Sequence, residues 1–385
     1  MNMRKMFVYL LLSVLLVTSF GGYSVFAQDG PDFTVKIGVI APITGPAASI
    51  GEEQRNWAKL AVDVFNDATG WEVELVEGDD ELDAAKSVTV AESFIADEEI
   101  FGVVGPATSD GVAATQEMFA DAGLVHISGS STRTELTEMG FETFFRTVPP
   151  DAVQGPTDGR YLAEVLGVTK LFVVDDQSDY AVSLADEATA AFEEAGGEIV
   201  GRESVTQEDF DFSALVTRIG SEEAEAVFFP GQLASQGALM GQQLLEQGVD
   251  VILFGSDGFQ QQVDFIDNAG GATEGAYVSA FAPDIHELES SADVVERALD
   301  EYGEFGTFGP PTYAATLVLL EAIQRDFEDD GEISRASVLE QVAATDQEVS
   351  ILGTPLAFDE NGDVLDAQFF IFVVEDDAFK LVPGE

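Results

Sequence analysis

Residues 105–132 read GPATSDGVAATQEMFADAGLVHISGSST, and the hydroxyls in that stretch are the chain's best candidates for chemistry. Ser109 stands where a helix over 110–122 should begin. A serine there caps the first turn while its hydroxyl and the free backbone N–H groups face an anion. Ser128, Ser130, Ser131 and Thr132 follow an apolar strand expected at 123–127 and would lie at the same sheet edge. Two neighbouring strands thus deliver uncharged donors to one crevice, which suits a small carboxylate. Nothing beside them supplies a nucleophile with its base, since Cys is absent and the chain has 2 His. The stretch suits holding a ligand, not transforming it.

The other reactive residue types have plainer roles. His126 lies inside an apolar strand and is expected as a packed core residue, while His286 sits in a charged loop with no His nearby. The string Asp326-Phe327-Glu328-Asp329-Asp330-Gly331 opens like a calcium loop. Ser337, however, stands where the closing bidentate acid is required, so a solvated helix end is expected instead. No GxSxG elbow and no phosphate loop ending in Gly-Lys-Ser/Thr occurs. No metal, cofactor or catalytic group is expected.

The elements that must carry the crevice alternate between strand and helix. Residues 34–41 form a β-branched apolar run, and 52–68 place Trp57, Leu60, Ala61, Val64, Phe65 and Ala68 at helical spacing. Trp71, Val73 and Leu75 alternate as a strand, Ala84, Val88, Ala91, Phe94 and Ile95 mark a helix, and 100–104 is a buried strand. The pattern restarts after Arg146-Thr147-Val148-Pro149-Pro150, with strands expected at 170–174, 198–201, 224–229, 251–254 and 276–281. Serial β-α units predict an α/β fold of two doubly wound lobes, each with a parallel sheet covered on both faces. Helices at 293–302, 312–327 and 334–343 follow. Strands at 354–358 and 369–374 then flank the turn Asp359-Glu360-Asn361-Gly362-Asp363 as a late hairpin-like addition.

Composition narrows the setting. Arg4 and Lys5, an apolar run over 6–20 and the triplet Val25-Phe26-Ala27 predict an export signal over 1–27, cut near Ala27. The run is short for a membrane span of roughly 20 residues. No Cys near its end allows lipid attachment, so no stable membrane insertion of the mature chain is expected. Against 16 basic residues stand 72 acidic ones, a formal net charge of −56. Such a surface lacks the basic patch that nucleic acid requires. Its self-repulsion weakens compactness unless counterions screen it. A saline habitat and an acidic lineage without salt requirement both fit.

Several segments, taken in order, resemble one family. They are KIGVIAPITGP at 36–46, ISGSSTRTELT at 127–137, RTVPPDAVQGP at 146–156, DFSALVTRI at 211–219, TYAAT at 312–316 and FDENGD at 358–363. The family is that of periplasmic solute-binding proteins for branched-chain amino acids, which feed ATP-driven importers, and the likeness runs from about 34 to 380. The resemblance implies a type I periplasmic-binding-protein fold, with a ligand cleft between lobes joined by a three-crossing hinge near 149–151, 281–284 and 353–356. Lobe 1 would be 33–150 plus 284–353, and lobe 2 would be 151–283 plus 354–385.

Carried over by position, Ser109 and Thr132 should bind the ligand carboxylate through hydroxyls and backbone N–H groups. A backbone carbonyl at Ser130 or Ser131 should accept from the ligand ammonium. Tyr180 matches an aromatic that closes over the ligand from lobe 2, and Asp257 falls where the family places a Glu as ammonium counter-charge. Phe308 matches an aromatic that walls the side-chain pocket, whereas Gln232 replaces a customary aromatic. The implied protein is a monomeric periplasmic receptor for a small apolar, branched-chain amino acid, serving the membrane permease of an ABC importer. Its rivals are a receptor for an amide, urea or aromatic carboxylate, a sensor of the same fold, and an enzyme acting at the cleft.

Overall fold

Apolar runs buried on both faces fix the first sheet. β1 (Val35–Ala41), β2 (Val73–Asp79), β3 (Ile100–Val104), β4 (His126–Ser128) and β5 (Phe144–Arg146) lie parallel in the order β2-β1-β3-β4-β5. Parallel neighbours need crossovers. Helices α1 (Ala48–Thr69), α2 (Ala84–Ala96) and α3 (Ser109–Asp121) connect the first four strands. α1 buries Trp57, Leu60, Ala61 and Phe65 on one stripe and ends at Gly70, whose φ of 77° lets its N–H bond back to Asn66 O. The structure, a computed structural model, describes residues 30–286, 288–366 and 368–382. The export segment expected over 1–27 lies outside the described residues.

α4 (Asp151–Arg160) begins the second lobe. There β6 (Lys170–Asp175), β7 (Glu198–Ser204), β8 (Ala226–Phe229), β9 (Ile252–Gly255) and β10 (Tyr277–Ala280) form a parallel array. Helices α5 (Asp179–Glu194), α6 (Ser213–Ser221) and α7 (Ala234–Gln247) intervene. The chain then returns to the first lobe through α8 (Ala292–Tyr302), α9 (Gly309–Asp330) and α10 (Arg335–Ala343). α9 starts Gly309-Pro310-Pro311, where a proline's missing N–H is no loss, and it buries Leu319, Leu320 and Ile323 in the first core.

The tail departs from the expected hairpin. β11 (Asp346–Gln347) pairs with β12 (Leu356–Ala357), while β13 (Phe370–Glu375) joins β10 antiparallel. The 359–363 turn folds back so that Leu365 N donates to Ala357 O at 2.9 Å, and it docks on β5 where Arg146 N donates to Gly362 O at 3.0 Å. Phe358 packs on Phe145 with ring centroids 5.0 Å apart, and Asp363 pairs with Arg146. Leu356, Phe358, Val364 and Phe369 pack with the first core, and pairing with the second sheet begins at Phe370.

The hairpin that does form joins β13 to β14 (Ala378–Leu381) and completes the order β14-β13-β10-β9-β8-β6-β7. Its turn residues Asp376 and Asp377 have φ of 55° and 60°. Such two-residue turns usually advertise themselves as Asn-Gly or Asp-Gly, and an Asp-Asp pair conceals this one.

Candidate functional site

Lobe 1 meets the interlobe cleft with the start of α3 and the loop after β4. α3 begins one residue earlier than expected, and its cap is Thr108, not Ser109: Thr108 Oγ1 accepts from Gly111 N at 3.1 Å. Ser109 Oγ instead accepts from Arg133 N at 3.2 Å. Ser130 is anchored twice, its Oγ donating to Ala107 O at 2.6 Å and accepting from buried Gln54 Nε2 at 2.7 Å. Ser131 and Ser128 hydroxyls lie 2.9 Å apart and reach Pro106 O at 3.1 and 2.8 Å. Thr132 has a sealed hydroxyl without a hydrogen-bond partner, and its carbonyl accepts from Asp151 N at 2.7 Å. Ser131 and Thr132 are buried beside the cleft and are not among the residues that line it. The loop needs their groups turned inward to hold its shape.

Lobe 2 faces these groups with the start of α5 and the turn after β9. Ser178 caps α5, its Oγ accepting from Ala181 N at 3.1 Å, and the next turn delivers Tyr180. Tyr180 OH donates to Asp257 Oδ1 at 2.7 Å and lies 2.6 Å from Ser256 Oγ. Gln154 Nε2 donates to the same carboxylate oxygen at 2.7 Å. Burial pushes the Asp257 carboxyl up to about 6, against the downward pull of Gln154 and Tyr180. Burial, and then the Asp257 charge, raises the Tyr180 phenol well above its ordinary value, so it remains a neutral donor.

Between these walls lies a narrow cleft with about 40 Å³ of free space, which Ser109, Ser130, Tyr180, Gln232, Asp257 and Phe308 line together. Pro42, Ala47, Ile50 and Leu82 supply the apolar remainder of the wall. Phe308 is held by half-buried Glu53, whose carboxylate accepts from Gly306 N at 3.0 Å and Gly309 N at 2.6 Å. Burial pushes Glu53 up to about 7. At the rim Arg133 of lobe 1 pairs with Asp179 of lobe 2, and Asp179 N donates to Asp110 Oδ1 at 3.2 Å. The cleft thus offers the Ser109 hydroxyl and a helix start on one side, a carboxylate on the other, and hydrocarbon around them.

Sequence reasoning missed the supports behind this wall. Arg146 is fully buried, ion-paired with Asp363, and donates to Arg133 O at 2.8 Å and Thr137 Oγ1 at 3.0 Å. One guanidinium so fastens the 131–137 loop to the 359–363 turn. Its signal was a single Arg inside the apolar run Phe144-Phe145-Arg146-Thr147-Val148, which drew notice only as part of a family motif. Asp151, Gln154 and Asp158 were also overlooked, although their i, i+3, i+7 spacing puts all three on one face of α4. α5 crosses α4 closely at Gly155, where a Cβ would sit 2.3 Å from Glu187 Cβ. His126 is core, between Phe119 and Phe144 at 4.7 and 5.0 Å, and burial lowers it to about 3.

Comparison with known proteins agrees with this geometry. A family model described as periplasmic binding protein matches residues 34–378. A leucine-, isoleucine-, valine-, threonine- and alanine-binding protein of Pseudomonas aeruginosa is 29% identical over 96% of this chain and 96% of its own. A Leu/Ile/Val-binding protein homolog of Brucella melitensis is 30% identical over 95% of this chain and 97% of its own. Among solved structures, a leucine-binding protein of Thermotoga maritima superposes with a TM-score of 0.82 at 24% identity, over 91% of this chain and 98% of that one. A branched-chain amino acid transporter substrate-binding protein of Streptococcus pneumoniae, in complex with isoleucine, gives 0.81 at 25% identity, over 91% and 99%. With a matched family model spanning nearly all of its described residues, and relatives aligned almost end to end, this chain belongs to the periplasmic binding protein family.

Proposed function

We propose that this protein is an extracytoplasmic receptor that closes on a small apolar amino acid and delivers it to the membrane permease of an ABC importer. One observation carries the reading: a single cleft has hydroxyls of Ser109 and Ser130 beside the start of α3 on one wall, and the Asp257 carboxylate on the other. A zwitterion matches both. Its carboxylate would sit at the helix start, where unpaired N–H groups and the dipole favour an anion. Its ammonium would pair with Asp257, and its side chain would lie among Ile50, Leu82 and Phe308. Burying either charge without its partner is too unfavourable for tight closure.

Relatives named for leucine, isoleucine and valine support the choice of side chain. Among the described residues no helix is long and apolar enough to cross a membrane. Residues 1–27 would direct export to the periplasm and be removed near Ala27, which N-terminal sequencing of the secreted protein tests. On this reading the cleft holds its ligand without transforming it.

A calorimetric and thermal-shift screen tests the ligand class, using L-leucine, L-isoleucine, L-valine, acetamide, urea and benzoate. A true ligand at about 100 times its Kd stabilises the folded state by roughly 2.7 kcal/mol. Melting raised by an amide or benzoate but by none of the amino acids would refute the amino-acid reading.

A further inference from the structure

We propose that Asp151, Gln154 and Asp158, one stripe of α4, position Asp257 and couple capture of a ligand ammonium to release of a proton. This rests on the amino-acid receptor reading and adds a chemical requirement to it. Three carboxyls are packed together out of solvent, Asp151 and Asp158 at 0% exposure and Asp257 at 3%. Asp257 and Asp158 are linked through one amide. Both hydrogens of Gln154 Nε2 are used, toward Asp257 Oδ1 at 2.7 Å and Ser279 Oγ at 2.9 Å, and Ser279 Oγ donates on to Asp158 Oδ2 at 2.9 Å.

The surroundings supply acceptors but few donors. Both Asp151 oxygens, Asp158 Oδ1 and Gln154 Oε1 are sealed without a hydrogen-bond partner. The titratable and charged groups facing the cluster are Tyr180 from α5 and Arg146 from β5. Tyr180 is already bonded to Asp257, and Arg146 is committed to Asp363. Thr132 and Ser183 hydroxyls face Asp151 outside hydrogen-bond geometry, close enough to draw its pKa down. Acceptors without donors are satisfied when a carboxyl keeps its proton and becomes a donor itself. Three adjacent carboxylates without a free cation cannot all ionise. In agreement, burial pushes Asp151 up to about 7 and Asp158 well above the carboxylate range. Among the described residues these groups do not converge on one point as metal ligands would.

The ligand ammonium supplies the missing positive charge. When it docks at a protonated Asp257, the carboxyl O–H bond breaks, the proton leaves to solvent, and the carboxylate–ammonium pair remains. No electrons are transferred. The free carboxyl holds its proton below about 6, and the occupied one does not. Affinity therefore falls about tenfold for each pH unit below that point and levels off above it. Gln154 is a positioning residue here: its donor bond favours the charged Asp257, so its loss moves the transition to higher pH.

Calorimetry of L-leucine, L-isoleucine and L-valine, in buffers of different ionisation heat from about pH 5 to 7.5, reads protons and affinity together. The expected result is release approaching one proton at the acid end, with Kd about fivefold weaker at pH 5 than at pH 6 and about tenfold weaker than on the plateau above pH 7. Gln154→Leu should displace that profile upward in pH, whereas damage to the fold alone would weaken binding equally at every pH. Infrared spectra of the ligand-free protein at neutral pH should contain a protonated-carboxyl band, which Asp158→Asn diminishes. Tight binding with no proton release and a pH-independent Kd, or the absence of that band, would overturn the proposal and leave the receptor reading standing. Failure of all three amino acids to bind at any pH would overturn the receptor reading and this coupling with it.

Discussion

Replacing Asp257 with Asn should move affinity and stability in opposite directions. The Asp257 carboxyl is pushed from 3.8 up to about 6 by burial, a shift worth about 3 kcal/mol at 1.36 kcal/mol per unit. Because the folded value lies above the unfolded one, no penalty exists below about pH 4. The penalty grows as pH rises to 6 and stays constant beyond it. Asn carries no such charge and its Oδ1 can still accept from Tyr180 and Gln154. The ligand-free variant should therefore melt higher at pH 7.5, by up to a few degrees. Ligand affinity should change the other way. Removing one partner of a buried ion pair costs about 3–5 kcal/mol, or roughly 100- to 4,000-fold in Kd for L-leucine. Differential scanning calorimetry without ligand and titration calorimetry with it measure the two effects. A variant that binds within about threefold of the parent, or that melts lower without ligand, would show that Asp257 is a structural carboxylate and not the ammonium partner.

Other positions give independent tests. Phe308→Ala opens the apolar wall and should weaken L-leucine by roughly 10- to 150-fold, the equivalent of about 1.5–3 kcal/mol of lost side-chain burial, as read by titration calorimetry. Arg146→Met leaves Asp363 and the Arg133 carbonyl unpaired, so urea unfolding should register a loss of about 3–5 kcal/mol. The net charge of −56 should make melting salt-dependent, because the screening length falls from about 10 Å at 0.1 M to 3 Å at 1 M. A melting point unchanged across that range would dismiss self-repulsion as a determinant of stability.

What the sequence revealed divides along a physical line. Strands buried on both faces, such as Ile100–Val104 and Lys170–Asp175, are continuous apolar runs and were legible nearly to the residue. The cleft-facing hydroxyls were legible as types, but not as orientations. Thr108 and Ser109 are adjacent and both can cap, and only the backbone path decides that Thr108 Oγ1 turns to Gly111 N. Ser130 and Ser131 are adjacent serines, yet only Ser130 lines the cleft, while the Ser131 hydroxyl turns to Pro106 O. Long-range partnerships were invisible. Arg146 and Asp363 lie 217 residues apart, and Gln154 meets Asp257 across 103. No local pattern encodes either meeting, so the supports of the site escaped notice while its surface did not.

Closure must draw its free energy from the ligand, and the rim shows why. The Arg133–Asp179 pair that spans the mouth leaves its side chains 23% and 46% exposed, a setting in which ion pairs contribute about 0–1 kcal/mol. Asp110 accepts from the start of α5 at the same seam, but it faces Asp179 and Asp176 there; burial first, and those two charges after it, raise its pKa. Carrying an open–closed equilibrium from 1:99 to 99:1 takes about 5.5 kcal/mol of differential affinity. The rim falls short of that. On the proposed reading, a zwitterion between Ser109, Ser130 and Phe308 on lobe 1 and Tyr180, Gln232 and Asp257 on lobe 2 would make its full set of contacts only when the walls meet. Its side-chain burial is worth about 1.5–3 kcal/mol, to which the paired carboxylate and ammonium add.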